Sequence, residues 1–138
     1  MPILEVCTGS LQSVINAVKG GAQRIELCSA LSLDGLTPSL GLIKTVRKMF
    51  PKLTIHTLIR VREGDFCYNE GEIKVMETDI KEILSYTDAI VCGALTADGD
   101  IDITTTRRLI DACEGKPFTF HRAFDVCRNP LKALDELA

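Results

Sequence analysis

Short apolar runs rich in β-branched residues occur at 3–7, 24–28, 53–60, 88–92 and 117–121. Between them apolar positions recur at helical spacing over about 10–19, 39–50, 70–86 and 103–113, and a fifth such stretch begins near 130. Leu11, Val14, Ile15 and Val18 form one stripe; Ile73, Met76, Ile80, Ile83 and Leu84 form another, with Glu and Lys between them. Strand-like runs alternating with helical stretches predict βαβ units and a parallel sheet. The punctuation agrees. Ser10 is placed to cap the first helix and Gly20-Gly21 to stop it, while Gly115-Lys116-Pro117 ends the fourth before the next strand. Pro130 suits the first turn of a fifth helix carrying Leu131, Leu134 and Leu137.

Five βα units give an open sheet, because a closed barrel takes eight strands and roughly 200–250 residues. The 138 residues read as one domain over 1–138. Two α/β architectures fit: a complete doubly wound domain, or a (β/α) TIM-type barrel present only as about its first five units. The second leaves an unpaired sheet edge and favours a homo-oligomer.

Side chains alternate along a strand, so parity sorts its faces. Leu4 and Val6 oppose Glu5 and Cys7; Ile25 and Leu27 oppose Arg24, Glu26 and Cys28. Ile55, Thr57 and Ile59 oppose His56, Leu58 and Arg60, and Phe118 and Phe120 oppose Thr119 and His121. Four strands thus carry one apolar and one ionisable face, whereas a parallel strand buried on both sides reads apolar throughout. Unpartnered burial of Glu5, Glu26, Arg60 or His121 would cost several kcal/mol each. Either Glu5 and Glu26 neutralise Arg24 and Arg60, or these groups line a ligand cavity.

The repeated Glu-x-Cys, Glu5-Val6-Cys7 and Glu26-Leu27-Cys28, sharpens this. It falls at equivalent places on consecutive strands, which run about 4.8 Å apart. Two thiols in bridging range suit a soft ion such as Cu(I). Cys92, near the end of the fourth strand, and His121 are weaker ligand candidates. The chain has six cysteines and no C-x-x-C pair, which disfavours a zinc finger or thioredoxin motif. In a reducing compartment they are free thiols. A net charge of −3 gives no electrostatic reason to expect nucleic acid or an anionic membrane as partner. The start of the chain reads as a strand containing an acid, not as a leader, so a cytoplasmic location is expected, with the nucleus as an alternative. Asp98-Gly99-Asp100 with Asp102 reads as a turn and helix cap, lacking the final Glu of a calcium loop.

Six segments together resemble the CutC family of copper-homeostasis proteins. They are Leu-Glu-Val-Cys (4–7), Gly-Gly-Ala-Gln-Arg-Ile-Glu-Leu-Cys-Ser (20–29), Leu-Thr-Pro-Ser-Leu-Gly (36–41), Ile-Arg-Val-Arg-Glu-Gly-Asp-Phe-Cys-Tyr (59–68), Gly-Ala-Leu-Thr-Ala-Asp-Gly-Asp-Ile-Asp (93–102) and Thr-Phe-His-Arg-Ala-Phe-Asp (119–125). The resemblance implies a (β/α) barrel handling copper inside the cell, with Cys7 and Cys28 as metal ligands. It also implies a polar pocket of Glu5, Glu26, Arg60, Arg62, His121 and Asp125 at the barrel mouth. There, Arg60 and Arg62 would bind a small anionic metabolite, Asp125 would join them in substrate binding, and Glu5, Glu26 and His121 would supply acid–base chemistry. Val61 stands where the family usually has proline, and Ala30 and Leu36 where glycine is frequent.

Overall fold

The computed structural model describes residues 1–138. The predicted alternation is realised as β1 (Glu5–Thr8), α1 (Leu11–Lys19), β2 (Arg24–Leu27), α2 (Leu40–Met49), β3 (Thr54–Leu58) and α3 (Glu70–Ile83). β4 (Ala89–Cys92), α4 (Ile103–Ala112), β5 (Phe118–Phe120) and α5 (Pro130–Leu137) complete it, with short 3-10 turns at Leu31–Leu33 and Arg122–Val126. Ser10 accepts from the Ser13 N–H to cap α1, and Asn69 with Glu72 forms a reciprocal capping box on α3. Asp102 caps α4 through the Thr105 N–H, and Asp100 pairs with Arg128, so the aspartate-rich turn serves structure.

All five strands are parallel and lie in the order β1-β2-β3-β4-β5. A doubly wound sheet reverses its strand order at a switch point and takes helices on both faces. Here the order never reverses, and α1 meets α2, α2 meets α3 and α3 meets α4 in sequence along the sheet. This is the wall of a TIM-type barrel, open at β1 and β5.

The register aligns the parity classes from strand to strand. Val6, Ile25 and Ile55 are successive partners, as are Cys7, Glu26 and His56. The first set belongs to the helix-covered face, where Ile25, Ile55, Ile59 and Ile90 join Val14, Ile43, Val46, Met76, Ile80 and Leu109 in one fully buried cluster. Burying each large aliphatic side chain contributes about 1.5–3 kcal/mol. Cys92 shares the parity of Ile90 and is fully buried in this cluster, so it faces the helices and not the barrel mouth. On α5 the expected apolar stripe is largely uncovered: Leu131 and Leu134 are exposed, and only Ala133 is buried.

The β2–α2 loop contains two non-glycine residues in the left-handed region, Ala30 (φ 48°) and Asp34 (φ 63°), followed by Gly35 (φ 91°). Ala30 occupies a position where the resembled family often has glycine, and a Cβ in this conformation costs about 1 kcal/mol. Ala30→Gly should therefore raise stability by up to about 1 kcal/mol in urea unfolding, with an unchanged circular dichroism spectrum. A lower urea midpoint would show that the loop backbone is not held in this conformation.

Candidate functional site

The inner face of the sheet carries its polar groups in two tiers. The lower tier starts at the first residue of β1, where the Glu5 carboxylate accepts from Arg24 Nε and lies 3.8 Å from His56 Nδ1. Burial, then the Arg24 charge, lowers the His56 pKa below its usual value. Glu5 is thus committed to an ion pair below the mouth and does not line the cavity described next.

One step up the strands, Cys7 and Cys28 bring their Sγ atoms to 3.8 Å, and Cys28 Sγ is 3.7 Å from Glu26 Oε1. The ligand atoms of Cys7, Glu26 and Cys28 all lie within 4.8 Å of one another. Register explains the meeting: Cys7 pairs with Glu26, and Cys28 lies two residues further along the same face. Cys28 is buried and Cys7 exposed, so the group opens to solvent on the β1 side. Burial raises all three pKa values, and the negative charge of the neighbouring acids adds to it. Burial and crowding disfavour the anionic forms that a soft cation would stabilise.

The upper tier is a cavity of about 650 Å³ at the C-terminal ends of the strands. Glu26, Arg60, His121 and Asp125 line it together with Phe66 and Phe120. That volume falls within the range typical of small-molecule sites. Arg60 follows β3 and is 6% exposed, yet no carboxylate lies within ion-pair distance of it. Its Nη1 donates to the carbonyls of Leu33 and Gly35 and its Nη2 to that of Gly64, while Nε–H has no partner. The guanidinium also stacks on Phe66, with Cζ 5.0 Å from the ring centroid. The anticipated neutralising network is therefore half present: Glu5 pairs with Arg24, but Glu26 and Arg60 do not pair.

His121 follows β5 and packs against Phe66 with ring centroids 5.1 Å apart. Gly93, next after β4, makes room for it, since a Cβ there would meet His121 Cε1 at 2.7 Å. The Ala123 N–H donates to Nδ1, which fixes the neutral tautomer and leaves the buried Nε2–H unpartnered. Burial, then the Arg60 charge, lowers the His121 pKa to about 4.

Arg62 sits outside the cavity and Asp125 at its rim. Arg62 points away from the cavity, bonded to Glu72 at 2.6 Å, to Asp65 at 3.0 Å and to the carbonyls of Glu63, Asp65 and Cys67. All its N–H groups are engaged, so it organises the β3–α3 loop. Asp125 lies on the cavity rim in an exposed pair with Arg122. The carbonyl cage of Arg60 and the part played by Asp34 in the lining have no sequence signature, because loop conformation sets them, whereas Thr119 lines the cavity on the face its parity indicated.

The CutC family model matches residues 2–138. A CutC family protein of Parabacteroides distasonis is 47% identical over 138 residues, covering 98% of this chain and 56% of its own length. The human copper homeostasis protein cutC homolog is 46% identical over 136 residues, covering 98% of this chain and 50% of its own. The crystal structure of CutC from Streptococcus agalactiae superposes with a TM-score of 0.92 at 35% identity, covering 99% of this chain and 68% of that one. The chain thus spans about half the length of the curated relatives it matches. No helix is long and apolar enough to cross a membrane.

The neutral burial of His121 leaves a signature in stability. The folded group titrates near 4 and the unfolded one near 6.5. Between these values the unfolded chain takes up a proton that the folded chain does not, so stability falls as pH drops through this window. Integrated, the loss is about 2 kcal/mol between pH 7 and pH 5. In urea unfolding, His121→Gln should show a fall smaller by about that amount over the same interval. Equal falls would mean that His121 is not buried in its neutral form.

Proposed function

The chain belongs to the CutC family, and on that premise we propose that it binds one Cu(I) ion between the Cys7 and Cys28 thiolates as part of copper homeostasis in the cytoplasm. The observation that carries this reading is the 3.8 Å approach of the two Sγ atoms. Thiolates are the ligands that select Cu(I) over harder cations. Two metal–thiolate bonds of about 2.3 Å in a straight line would span about 4.6 Å. At 3.8 Å the arrangement favours a bent pair with a third donor, and the Glu26 carboxylate stands on that side. The copper is cargo here: the thiols hold it, and the exposure of Cys7 gives a path for entry and release. The unpaired outer edges of β1 and β5 support association with further chain.

A second reading, catalysis on a small anionic substrate, is favoured by the buried Arg60 without a carboxylate partner. In it Arg60 holds the anion, Glu26 is the base and His121 the electrophile, with Asp125 on the rim. Glu5 and Arg62, both tied up in ion pairs, have supporting positions only.

Anaerobic Cu(I) titration against a competing chelator tests the first reading. The unsubstituted chain should bind one equivalent, and the Cys7→Ser/Cys28→Ser double variant, folded by circular dichroism, should lose at least a hundredfold in affinity. Equal binding by the two folded proteins would sink the thiol site. Both thiols titrate above the usual 9.0 in the free protein. Each ion bound near neutrality therefore releases two protons, and the apparent Kd should fall about a hundredfold per pH unit between pH 6 and pH 8. A tenfold slope would mean that only one thiolate binds.

A further inference from the structure

The buried polar groups left without partners are not scattered. Four side-chain atoms are closed to solvent without a hydrogen-bond partner, and two of them, Arg60 Nε and His121 Nε2, belong to cavity-lining residues that both pack against Phe66, while a third, the Tyr68 hydroxyl, neighbours the Arg60 guanidinium. An orphaned buried donor costs about 1–3 kcal/mol, so native structures rarely keep two together without a use. Both are donors. Arg60 Nε–H is one by chemistry, and His121 Nε2–H is one because Nδ1 is already accepting from Ala123. Their complement is a molecule that presents acceptors only at this end.

Charge narrows the class. Arg60 is the one cavity cation free of a carboxylate, since Arg122 on the rim is paired with Asp125. His121 is neutral by its tautomer, and Asp34, Asp125 and Glu26 share the lining. The three carboxyl groups of the lining outnumber its two guanidiniums, so the field tolerates at most one negative charge, seated on Arg60, and repels a phosphate dianion. Three of Arg60's five N–H groups serve loop carbonyls. Nε–H is left to donate to a carboxylate oxygen. Leu58, Val91 and Phe120 provide apolar wall for a short carbon skeleton.

We infer that the cavity takes a small monocarboxylate bearing a second, uncharged oxygen, an oxo or hydroxy acid, with its carboxylate on Arg60 and its other oxygen accepting from His121 Nε2–H. Phe66 packs against both side chains, so this mode of binding requires its ring to turn. This inference rests on the reading of the cavity as an anion site and names its ligand class.

The probes are 2-oxoisovalerate, isovalerate and inorganic phosphate, titrated into the 138-residue chain and followed by calorimetry and by NMR. 2-Oxoisovalerate should bind at least tenfold more tightly than isovalerate, and phosphate more weakly than either. Arg60→Lys should weaken both carboxylates at least tenfold, whereas His121→Phe should erase the difference between them. In the unsubstituted protein the Arg60 Nε–H and His121 Nε2–H resonances should both shift with 2-oxoisovalerate, a readout that survives if either variant fails to fold. Phosphate binding as tightly as 2-oxoisovalerate, or carboxylate binding that leaves both resonances in place, would overturn the inference. Binding without any turnover would remove the catalytic reading and leave the ligand class standing.

Discussion

The molecule depends on one asymmetry: a parallel sheet whose helix-covered face is sealed and whose other face is not. Ile25, Ile55, Ile59 and Ile90 are anchored against the helices with no exposed area. Strand pleating then forces every intervening residue to the opposite side. Because the register is held without slippage across β1 to β4, the outward set fixes the inward set as well. Cys7, Glu26 and His56 are brought level by hydrophobic residues whose side chains point to the other face.

That placement has an electrostatic consequence. The inner face holds more acid than it can neutralise locally, and each group answers differently. Glu5 finds Arg24 and is settled. Glu26 and the two thiols, pressed together and partly buried, resist ionisation. Arg60, which would be the natural counter-ion for Glu26, is drawn instead into a cage of three carbonyls from the β2–α2 and β3–α3 loops. The separation of Glu26 from Arg60 is what leaves one acid available to a cation and one cation available to an acid.

The βα alternation and the Glu-x-Cys pair were legible in the chain because both follow from period and parity, which tertiary structure seldom overrides. Parity also accounts for Cys92: it shares the phase of Ile90, and the same test that put Cys7 inside puts Cys92 outside. The arginines were another matter. Arg60 and Arg62 have the same parity beyond β3 and look equivalent, yet Asp65 and Glu72 capture Arg62 while the carbonyls of Leu33, Gly35 and Gly64 take Arg60. The difference arises in loop backbone, where no periodic rule operates. The order of the strands was equally hidden, since consecutive βα units serve a barrel or a doubly wound sheet alike until the crossovers are seen to keep one direction.

Glu26 links the two tiers. It stands within 4.8 Å of both thiols and also lines the cavity that Arg60 and His121 share. A cation drawing Glu26 toward Cys7 and Cys28 removes an acceptor from the cavity wall, and a ligand that engages Glu26 competes with the metal for it. Any such coupling is reciprocal: whatever factor metal binding imposes on the cavity ligand, the ligand must impose on the metal. One shared carboxylate suffices, with no relay through the core, because both sites lie on the inner face of the same strands. If both proposed sites are occupied, the fold that separates thiols from guanidinium also couples them through Glu26.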